Sequence, residues 1–283
     1  TITDDDGNTE TQEITVTVNA VNDPTVVTGG TSGTGDEDGG VITGQIASTD
    51  VEGLTKANAY TIENQEGSRW TQVGADIDGE AAEDQSGNKV SLSSDGSIVA
   101  ISAQLNDGNG NISGHVRIYQ NDNGTWTQIG DDIDGEAEQD RSGPISLSSN
   151  GKVVAIGSQY NDGNGLDSGH VRIYQNDNGT WTQIGDDIDG EAGGDQSGYS
   201  VSLSSDGSVV AIGAHRNSLD KGHVRIYQIV DGAWTQIGGD IDGEATNDYS
   251  GRSVSLSSDG SVVAIGAIGA DGNEVDSGHV RIY

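Results

Sequence analysis

From residue 70 onwards, short runs in which apolar and polar residues alternate recur four times along the chain. Four W-T-Q-[IV]-G segments, at intervals of 56, 55 and 53 residues, begin at Trp70, Trp126, Trp181 and Trp234. The segments S-L-S-S, V-A-I and G-H-V-R-I-Y follow each of them in the same order and at similar distances. Alternation with period two predicts strands, because successive side chains of a strand point to opposite faces of its sheet. The pattern therefore predicts a repeat architecture built from strands.

Each repeat predicts four strands. In the third copy they are Trp181–Gly185, Tyr199–Leu203, Ser208–Gly213 and His223–Tyr227. Asp206-Gly207 and Asn178-Gly179 supply the Asp-Gly and Asn-Gly signals of tight hairpins. Nothing in the repeats has the 3.6-residue pattern of a helix.

Four short strands in about 50 residues are typical of a β-propeller blade. A β-solenoid is the alternative, although its rungs are shorter than these units. We therefore predict an all-β protein whose residues 70–283 form four propeller-type, four-stranded repeats. Divided at the W-T-Q segment, the blades cover about 70–119, 126–174, 181–227 and 234–283. Because the last unit ends within the pattern, we expect further blades in a longer parent protein.

The composition excludes several classes of protein. The chain has 46 acidic and 12 basic residues, a formal net charge of −34, and only 31% hydrophobic residues. Nucleic-acid binding through phosphate contacts is not expected at this charge. No apolar run has the length of a membrane-spanning helix. Without any cysteine, the chain has neither disulfides nor a thiol nucleophile.

The acidic residues concentrate in one loop of each repeat, D-I-D-G-E-A-x-x-D, which we call the acidic loop. These loops hold 16 of the 33 carboxylates that follow residue 69. The four sets are Asp76, Asp78, Glu80, Asp84; Asp132, Asp134, Glu136, Asp140; Asp187, Asp189, Glu191, Asp195; and Asp240, Asp242, Glu244, Asp248. Their spacing corresponds to positions 1, 3, 5 and 9 of a Ca²⁺-binding loop. Calcium ligation is one hypothesis, and solvated loops that keep the protein soluble are the other.

The histidine, arginine and tyrosine of G-H-V-R-I-Y recur in every repeat, so we interpret them as structural. A catalytic group is normally needed once, not at the same place in each blade. We expect the arginines, Arg117, Arg172, Arg225 and Arg281, to pair with carboxylates of the blades. The tryptophans are interpreted as packing between blades. A second long loop, rich in Asn, Asp and Gly, precedes G-H-V-R-I-Y and is expected on the same face as the acidic loop.

The segments Gly198–Ala214 and Gly251–Ala267, each followed by a loop and G-H-V-R-I-Y, resemble the FG-GAP repeat of integrin α-subunit propellers and their bacterial relatives. All four repeats share this resemblance, which implies a β-propeller with a binding function. In that family, a D-x-D-x-D-G-x-x-D loop binds calcium. Here it is reduced to S-S-D-G or S-S-N-G, so that particular site is not carried over.

The first seventy residues resemble the cadherin-like, VCBS-type modules of large bacterial surface proteins, through T-D-D-D-G, T-V-T-V-N and V-N-D-P. The resemblance implies an Ig/cadherin-like β segment, in which residues 1–20 end one module and residues 21–69 form a linker and part of a second. It also implies Ca²⁺ ligands at module junctions, namely Asp4, Asp6, Asp23 and Asp50. The alternative for this region is a flexible linker.

No catalytic motif is present in the sequence, and we predict that the chain is not an enzyme. We expect an extracellular or cell-surface module that depends on Ca²⁺ and binds a protein or polysaccharide through the loop face of the propeller. Two alternatives stay open: the non-catalytic propeller of a secreted hydrolase, and a purely structural component of a surface layer.

Overall fold

The computed structural model describes residues 71–283 in full and five strand segments before them. The chain divides into two compact units, Thr1–Thr71 and Gln72–Tyr283. Almost all regular structure in the described residues is strand. No helix among them is long and apolar enough to cross a membrane.

The N-terminal unit contains two small antiparallel sheets. Their strands are β1 (Ile2–Thr3), β2 (Thr9–Glu10), β3 (Val26–Val27), β4 (Ile42–Thr49) and β5 (Lys56–Ile62). Strand β1 pairs with β2, and β3, β4 and β5 form one sheet in that order. The predicted calcium ligands of this unit, Asp4, Asp6, Asp23 and Asp50, lie outside the described residues, as does Trp70. The cadherin-like interpretation of this unit stays a prediction.

The second unit consists of four consecutive antiparallel sheets. The first contains β6 (Ser86–Leu92), β7 (Ile98–Ala103), β8 (His115–Asp122), β9 (Thr125–Gln128) and β10 (Ile133–Asp134). The second contains β11 (Ile145–Leu147), β12 (Val153–Ser158), β13 (His170–Asp177), β14 (Thr180–Gln183) and β15 (Ile188–Asp189). The third contains β16 (Ser200–Leu203), β17 (Val209–Ala214), β18 (His223–Val230), β19 (Ala233–Gln236) and β20 (Ile241–Asp242). The fourth contains β21 (Ser250–Leu256), β22 (Val263–Ala267) and β23 (His279–Ile282). A four-residue turn, α1 (Asn217–Asp220), precedes β18, and its Ser218 and Leu219 have positive φ.

This succession of sheets is a four-bladed β-propeller arrangement, which confirms the predicted fold class. Within the second sheet, β11, β12 and β13 pair in order, and β14 and β15 share the outer edge of β13. The Asn178-Gly179 turn joins β13 to β14, as expected from its sequence, with both residues at positive φ. Each W-T-Q strand thus belongs to the same sheet as the G-H-V-R-I-Y strand before it. The sheets therefore start one strand later than the repeat units defined at the W-T-Q segment.

The hydrophobic core lies between successive sheets. Between the second and third sheets, buried Val171 and Ile173 pack in one cluster with Leu203, Val210 and Ile212. Similar clusters fill the two other gaps between sheets. Each sheet is thin and depends on its neighbours to cover its faces, which explains how a chain with few apolar residues forms a core.

Hydrogen bonds between the inner strands hold the sheets in register. The backbone N–H groups of Leu147, Leu203 and Leu256 donate to the hydroxyls of Ser91, Ser146 and Ser202 in the preceding sheets, at 3.0 Å in each case. At the outer edge, Nε1 of Trp181 donates to the carbonyl oxygen of Ile129 at 2.9 Å. The tryptophans therefore connect adjacent blades, as predicted.

The outward faces of the first and last sheets are partly exposed. Val280 is 66% exposed, whereas Val224, at the same position in the third sheet, is completely buried by the fourth sheet. On the first sheet, Val90 and Leu92 are 64% and 58% exposed. These two faces carry the same apolar positions that are buried at the three internal contacts between sheets.

Candidate cation-binding site

The acidic loop begins within the outer edge of its sheet. In the second sheet, the edge passes from β14 through Gly185, which has a φ of +73°, into the short strand β15. Strand β15 pairs with the beginning of β13, so that Asp189 lies opposite His170. This register brings the start of each acidic loop beside the histidine of G-H-V-R-I-Y in the same sheet.

The last carboxylate of each set is buried and engaged within the protein. Oδ2 of Asp140 accepts hydrogen bonds from the backbone N–H of Ala137 at 3.1 Å and from Nδ2 of Asn161 at 3.0 Å. Asp84 and Asp195 accept the equivalent pairs of bonds, whereas Asp248 accepts two bonds from backbone N–H groups of its own loop. These four aspartates close their loops and fasten three of them to the neighbouring long loop.

The glutamate of each set lies between an arginine and a histidine. Oε1 of Glu136 is 3.5 Å from Nη1 of Arg172, and Oε2 is 3.7 Å from Nδ1 of His170. The same contacts join Glu80, Glu191 and Glu244 to the arginine and histidine of their own repeats. The predicted pairing of the arginines with blade carboxylates is thereby confirmed.

The first aspartate of the following loop approaches the same histidine. Oδ1 of Asp187 accepts a hydrogen bond from Nε2 of Gln183 at 2.6 Å, and Oδ2 is 3.7 Å from Nδ1 of His170. Asp132 has the corresponding positions relative to Gln128 and His115. The histidine thus faces two acidic residues that belong to consecutive loops.

This arrangement produces three Glu–His–Asp clusters in residues 71–283, in each of which three potential ligand atoms lie within 4.8 Å of one another. They are Glu80–His115–Asp132, Glu136–His170–Asp187 and Glu191–His223–Asp240. Each histidine is only 1% exposed. The carboxylates of one acidic loop are therefore divided among different surroundings, and calcium ligation by these residues stays a prediction.

The second aspartate of each set acts in two ways: its backbone carbonyl accepts a hydrogen bond from an arginine, and its carboxylate adds to the negative charge of the loop. The carbonyl oxygen of Asp134 accepts a hydrogen bond from Nη2 of Arg172 at 2.7 Å. Burial raises the pKa of the Asp134 carboxyl, and the nearby charges of Asp132 and Glu80 contribute to the rise. Burial also raises the pKa of Glu136, with contributions from Asp187, Asp140 and Asp189. Carboxylates that repel one another in this way favour the approach of a cation.

Two of the buried histidines, His170 and His223, are neutral near pH 7. Burial and the charge of Arg172 lower the pKa of His170 to about 4, in spite of the opposing charge of Asp187. Burial and Arg225 likewise lower the pKa of His223. A neutral imidazole can offer a nitrogen lone pair to a metal ion.

The long loop before G-H-V-R-I-Y packs between two consecutive acidic loops. Asn106 donates to Asp84 of one loop at 2.9 Å, while Nδ2 of Asn109 donates to the backbone carbonyls of Gly135 and Glu136 in the next, at 2.8 and 3.0 Å. Both long loop types therefore lie on one face of the propeller, as the sequence predicted. We call it the loop face.

The S-S-D-G turns do not fit a calcium site. Oδ1 of Asp95 accepts hydrogen bonds from the hydroxyl of Ser93 and from the hydroxyl and backbone N–H of Ser97, and these bonds lower the pKa of Asp95 to about 2. The aspartate closes the turn, and each turn supplies a single carboxylate.

The histidines were expected to be structural, and the sequence alone did not point to them as ligands. The signal that could have found them is the strand register, because it places each histidine opposite the second aspartate of the next acidic loop. That register depends on the W-T-Q strand returning along the edge of the same sheet.

Comparisons with known proteins support the repeat assignment in the last part of the chain. Residues 241–283 match the model of the FG-GAP repeat. No curated protein matches the sequence. The matched residues cover β20 and the fourth sheet of the propeller.

Three solved structures are similar to the chain. A Bacteroides uniformis protein assigned as a 6-phosphogluconolactonase is 14% identical, with a TM-score of 0.48 over 86% of this chain and 62% of its own. TolB from Acinetobacter baumannii is 15% identical, with a TM-score of 0.44 over 85% of this chain and 48% of its own. The hydrazine synthase of Kuenenia stuttgartiensis is 13% identical, with a TM-score of 0.43 over 89% and 70%. The chain thus spans less than two thirds of the first two proteins.

Proposed function

We propose that the chain is a non-catalytic, calcium-dependent binding module of a secreted or cell-surface protein, and that its loop face holds an extracellular protein or polysaccharide. The observation that carries the proposal is the concentration of acidic loops on one face of a rigid β scaffold. Loops on such a scaffold are where binding residues usually lie.

The electrostatics of the loop face support a cationic ligand. Glu136 and Glu191 are 42% and 43% exposed, and Asp189 also reaches solvent. Their neighbours are further carboxylates, and burial together with mutual repulsion raises the pKa of Glu136 and Asp189. A calcium ion would relieve this repulsion through oxygen ligands, which it prefers.

The repetition of the site favours binding over catalysis. The same glutamate, histidine and aspartate occur together at three places in the described residues. Chemistry on one substrate needs one constellation, whereas a surface that binds an extended polymer benefits from equivalent contacts at regular intervals. The FG-GAP match in residues 241–283 is consistent with a binding module.

The test is retention of the chain on immobilised probes in the presence of calcium or of a chelator. Alginate serves as an acidic polysaccharide that calcium would bridge to the loop face, and a lysine-rich protein serves as a cationic partner. We expect calcium-dependent retention on alginate and weak, salt-sensitive retention on the cationic protein. The double variant D189N/E191Q should reduce both, while D231N, in the exposed turn between β18 and β19 and away from the loop face, serves as a surface control.

Two outcomes would overturn the proposal. Retention on neither probe, combined with calcium-dependent stability, would favour the structural surface-layer alternative. Release of oligosaccharides from alginate by the purified chain would favour the hydrolase alternative.

A further inference from the structure

In each Glu–His–Asp cluster, the potential ligand atoms that make no other bond face one another. At the second cluster they are Oε2 of Glu136, Nδ1 of His170 and Oδ2 of Asp187, and both oxygens are 3.7 Å from the nitrogen. This separation is too long for a hydrogen bond. It is close to the distance of about 3.3–3.5 Å that separates two ligands of one zinc ion with bonds of about 2.0–2.1 Å.

The remaining oxygens of both acidic residues are already held by neighbouring side chains. Arg172 lies beside Oε1 of Glu136, and Gln183 donates to Oδ1 of Asp187. Such partners orient the ligands of metal sites, because they fix one oxygen and leave the other directed towards the ion. The glutamate is 42% exposed, so its side chain has room to move the short distance that coordination requires.

The histidine supplies a second observation, independent of the acidic residues. His170 is 1% exposed, and its Nδ1 makes no hydrogen bond to any described residue. Its Nε2 is also buried without a partner, as is Nε2 of His223. Nδ1 faces the two carboxylates without bonding to either, and a metal ion there would give this nitrogen a partner while the proton stays on Nε2.

The kind of metal follows from the ligand set. Calcium and magnesium prefer oxygen ligands alone, whereas imidazole nitrogen suits zinc, copper, iron and nickel. One nitrogen and two carboxylate oxygens form a three-ligand set, which leaves a coordination position for water or for a ligand atom of a partner.

We propose that each Glu–His–Asp cluster binds a divalent transition-metal ion of the zinc class, through Nδ1 of the histidine and one oxygen of each carboxylate. The ion connects two consecutive acidic loops, because the glutamate belongs to one acidic loop and the aspartate to the next. This site takes its carboxylates from the acidic loops, as the calcium proposal does, but it adds a histidine nitrogen and does not depend on calcium binding.

The fourth repeat provides an incomplete copy of the site. His279 and Glu244 are 3.9 Å apart, but among the described residues no aspartate lies with them in a three-ligand cluster. His215 is a buried histidine outside the clusters, and its ring is tilted by 47° against that of Tyr199, with 4.0 Å between ring centroids. Variants of these two histidines are therefore matched controls.

The experiment is a zinc titration of the full chain by calorimetry in a calcium-free buffer. Cobalt is titrated in parallel, because its visible absorption reports the coordination number and geometry of the bound ion. We expect three equivalent sites in the original chain, one fewer in H170Q, and at least about 100-fold weaker binding at the altered cluster. The controls H215Q and H279Q should keep all three sites. E136Q provides a second test at an exposed position, where folding is not at risk.

The proposal is overturned if the original chain binds no zinc, or if H170Q and E136Q bind as many ions as the original chain. It is also overturned if excess calcium displaces the zinc completely, because the sites would then be oxygen sites. In the first two cases calcium-dependent retention on alginate could still be observed, so failure of this proposal is distinct from failure of the proposed function.

Discussion

Individual carboxylates of the acidic loops have different tasks, although the sequence makes them look alike. Asp140 is 2% exposed and accepts bonds from Ala137 and Asn161, whereas the side chain of Glu136, four residues earlier, is 42% exposed. Asp140 therefore stabilises the fold of the loop, whereas the carboxylate of Glu136 is accessible to a ligand.

We predict that D140A destabilises the protein by about 2 kcal/mol, because it leaves the buried amide of Asn161 and the partly buried N–H of Ala137 without an acceptor. E138A, at an exposed position in the same loop, should change stability by less than about 0.5 kcal/mol. Denaturant unfolding of both variants measures the difference. Equal stabilities would contradict the structural role of Asp140.

His215 gives the stability of the third blade a pH dependence. Burial and the charges of Arg252 and Arg216 lower its pKa to about 4 from an ordinary value of 6.5, and the rings of Tyr199 and Tyr249 lie on either side. Because the folded state resists protonation, this contribution to stability is complete above pH 6.5 and is lost as the pH falls towards 4.

The prediction is that the original chain loses about 1 to 2 kcal/mol more than H215Q between pH 7 and pH 4.5. This figure is below the full effect of the pKa shift, because solvent screens part of the site. Unfolding free energies at the two pH values provide the measurement, and the other histidines cancel in the comparison. Parallel losses in both proteins would contradict the prediction.

At the scale of elements, the W-T-Q strand does more than complete the edge of its sheet. Trp181 packs on the cluster between the first two sheets and donates to the carbonyl of Ile129. The strand also leads into the acidic loop, so its position determines where the loop carboxylates meet the histidine.

W181F should cost about 1 kcal/mol, because it removes this hydrogen bond and keeps most of the ring. W126F removes the equivalent bond to the carbonyl of Val73 at a more exposed position, where water can replace it, and should cost less. Thermal melting of the two variants makes the comparison. A larger loss for W126F would contradict the proposed contact between blades.

At the scale of the whole molecule, most of the buried apolar residues lie at the contacts between sheets. V224D places a carboxylate in a completely buried position and should destabilise the protein by more than about 3 kcal/mol. V280D makes the same change in the last sheet, where the side chain is 66% exposed, and should have little effect. If both variants unfold at the same denaturant concentration, the sheets do not pack as described.

The repeats allowed the sequence to predict the strands, the propeller class and the common face of the long loops, because each depends on alternation and turns within one unit. The Glu–His–Asp clusters were not predictable in the same way. Glu136, His170 and Asp187 are far apart in sequence, and they meet only through the strand register and the stacking of loops. The burial of Asp140 likewise depends on Asn161 from a different loop.

The calcium dependence of the loop face is tested most directly by the melting temperature of the full chain with calcium, with magnesium and with a chelator. Calcium at 100 times its dissociation constant would contribute about 2.7 kcal/mol, which corresponds to a rise of about 5 to 10 °C for a domain of this size. We predict such a rise with calcium, its reversal by the chelator, and a smaller effect of magnesium. An unchanged melting temperature at millimolar calcium, without heat of binding in calorimetry, would contradict the account.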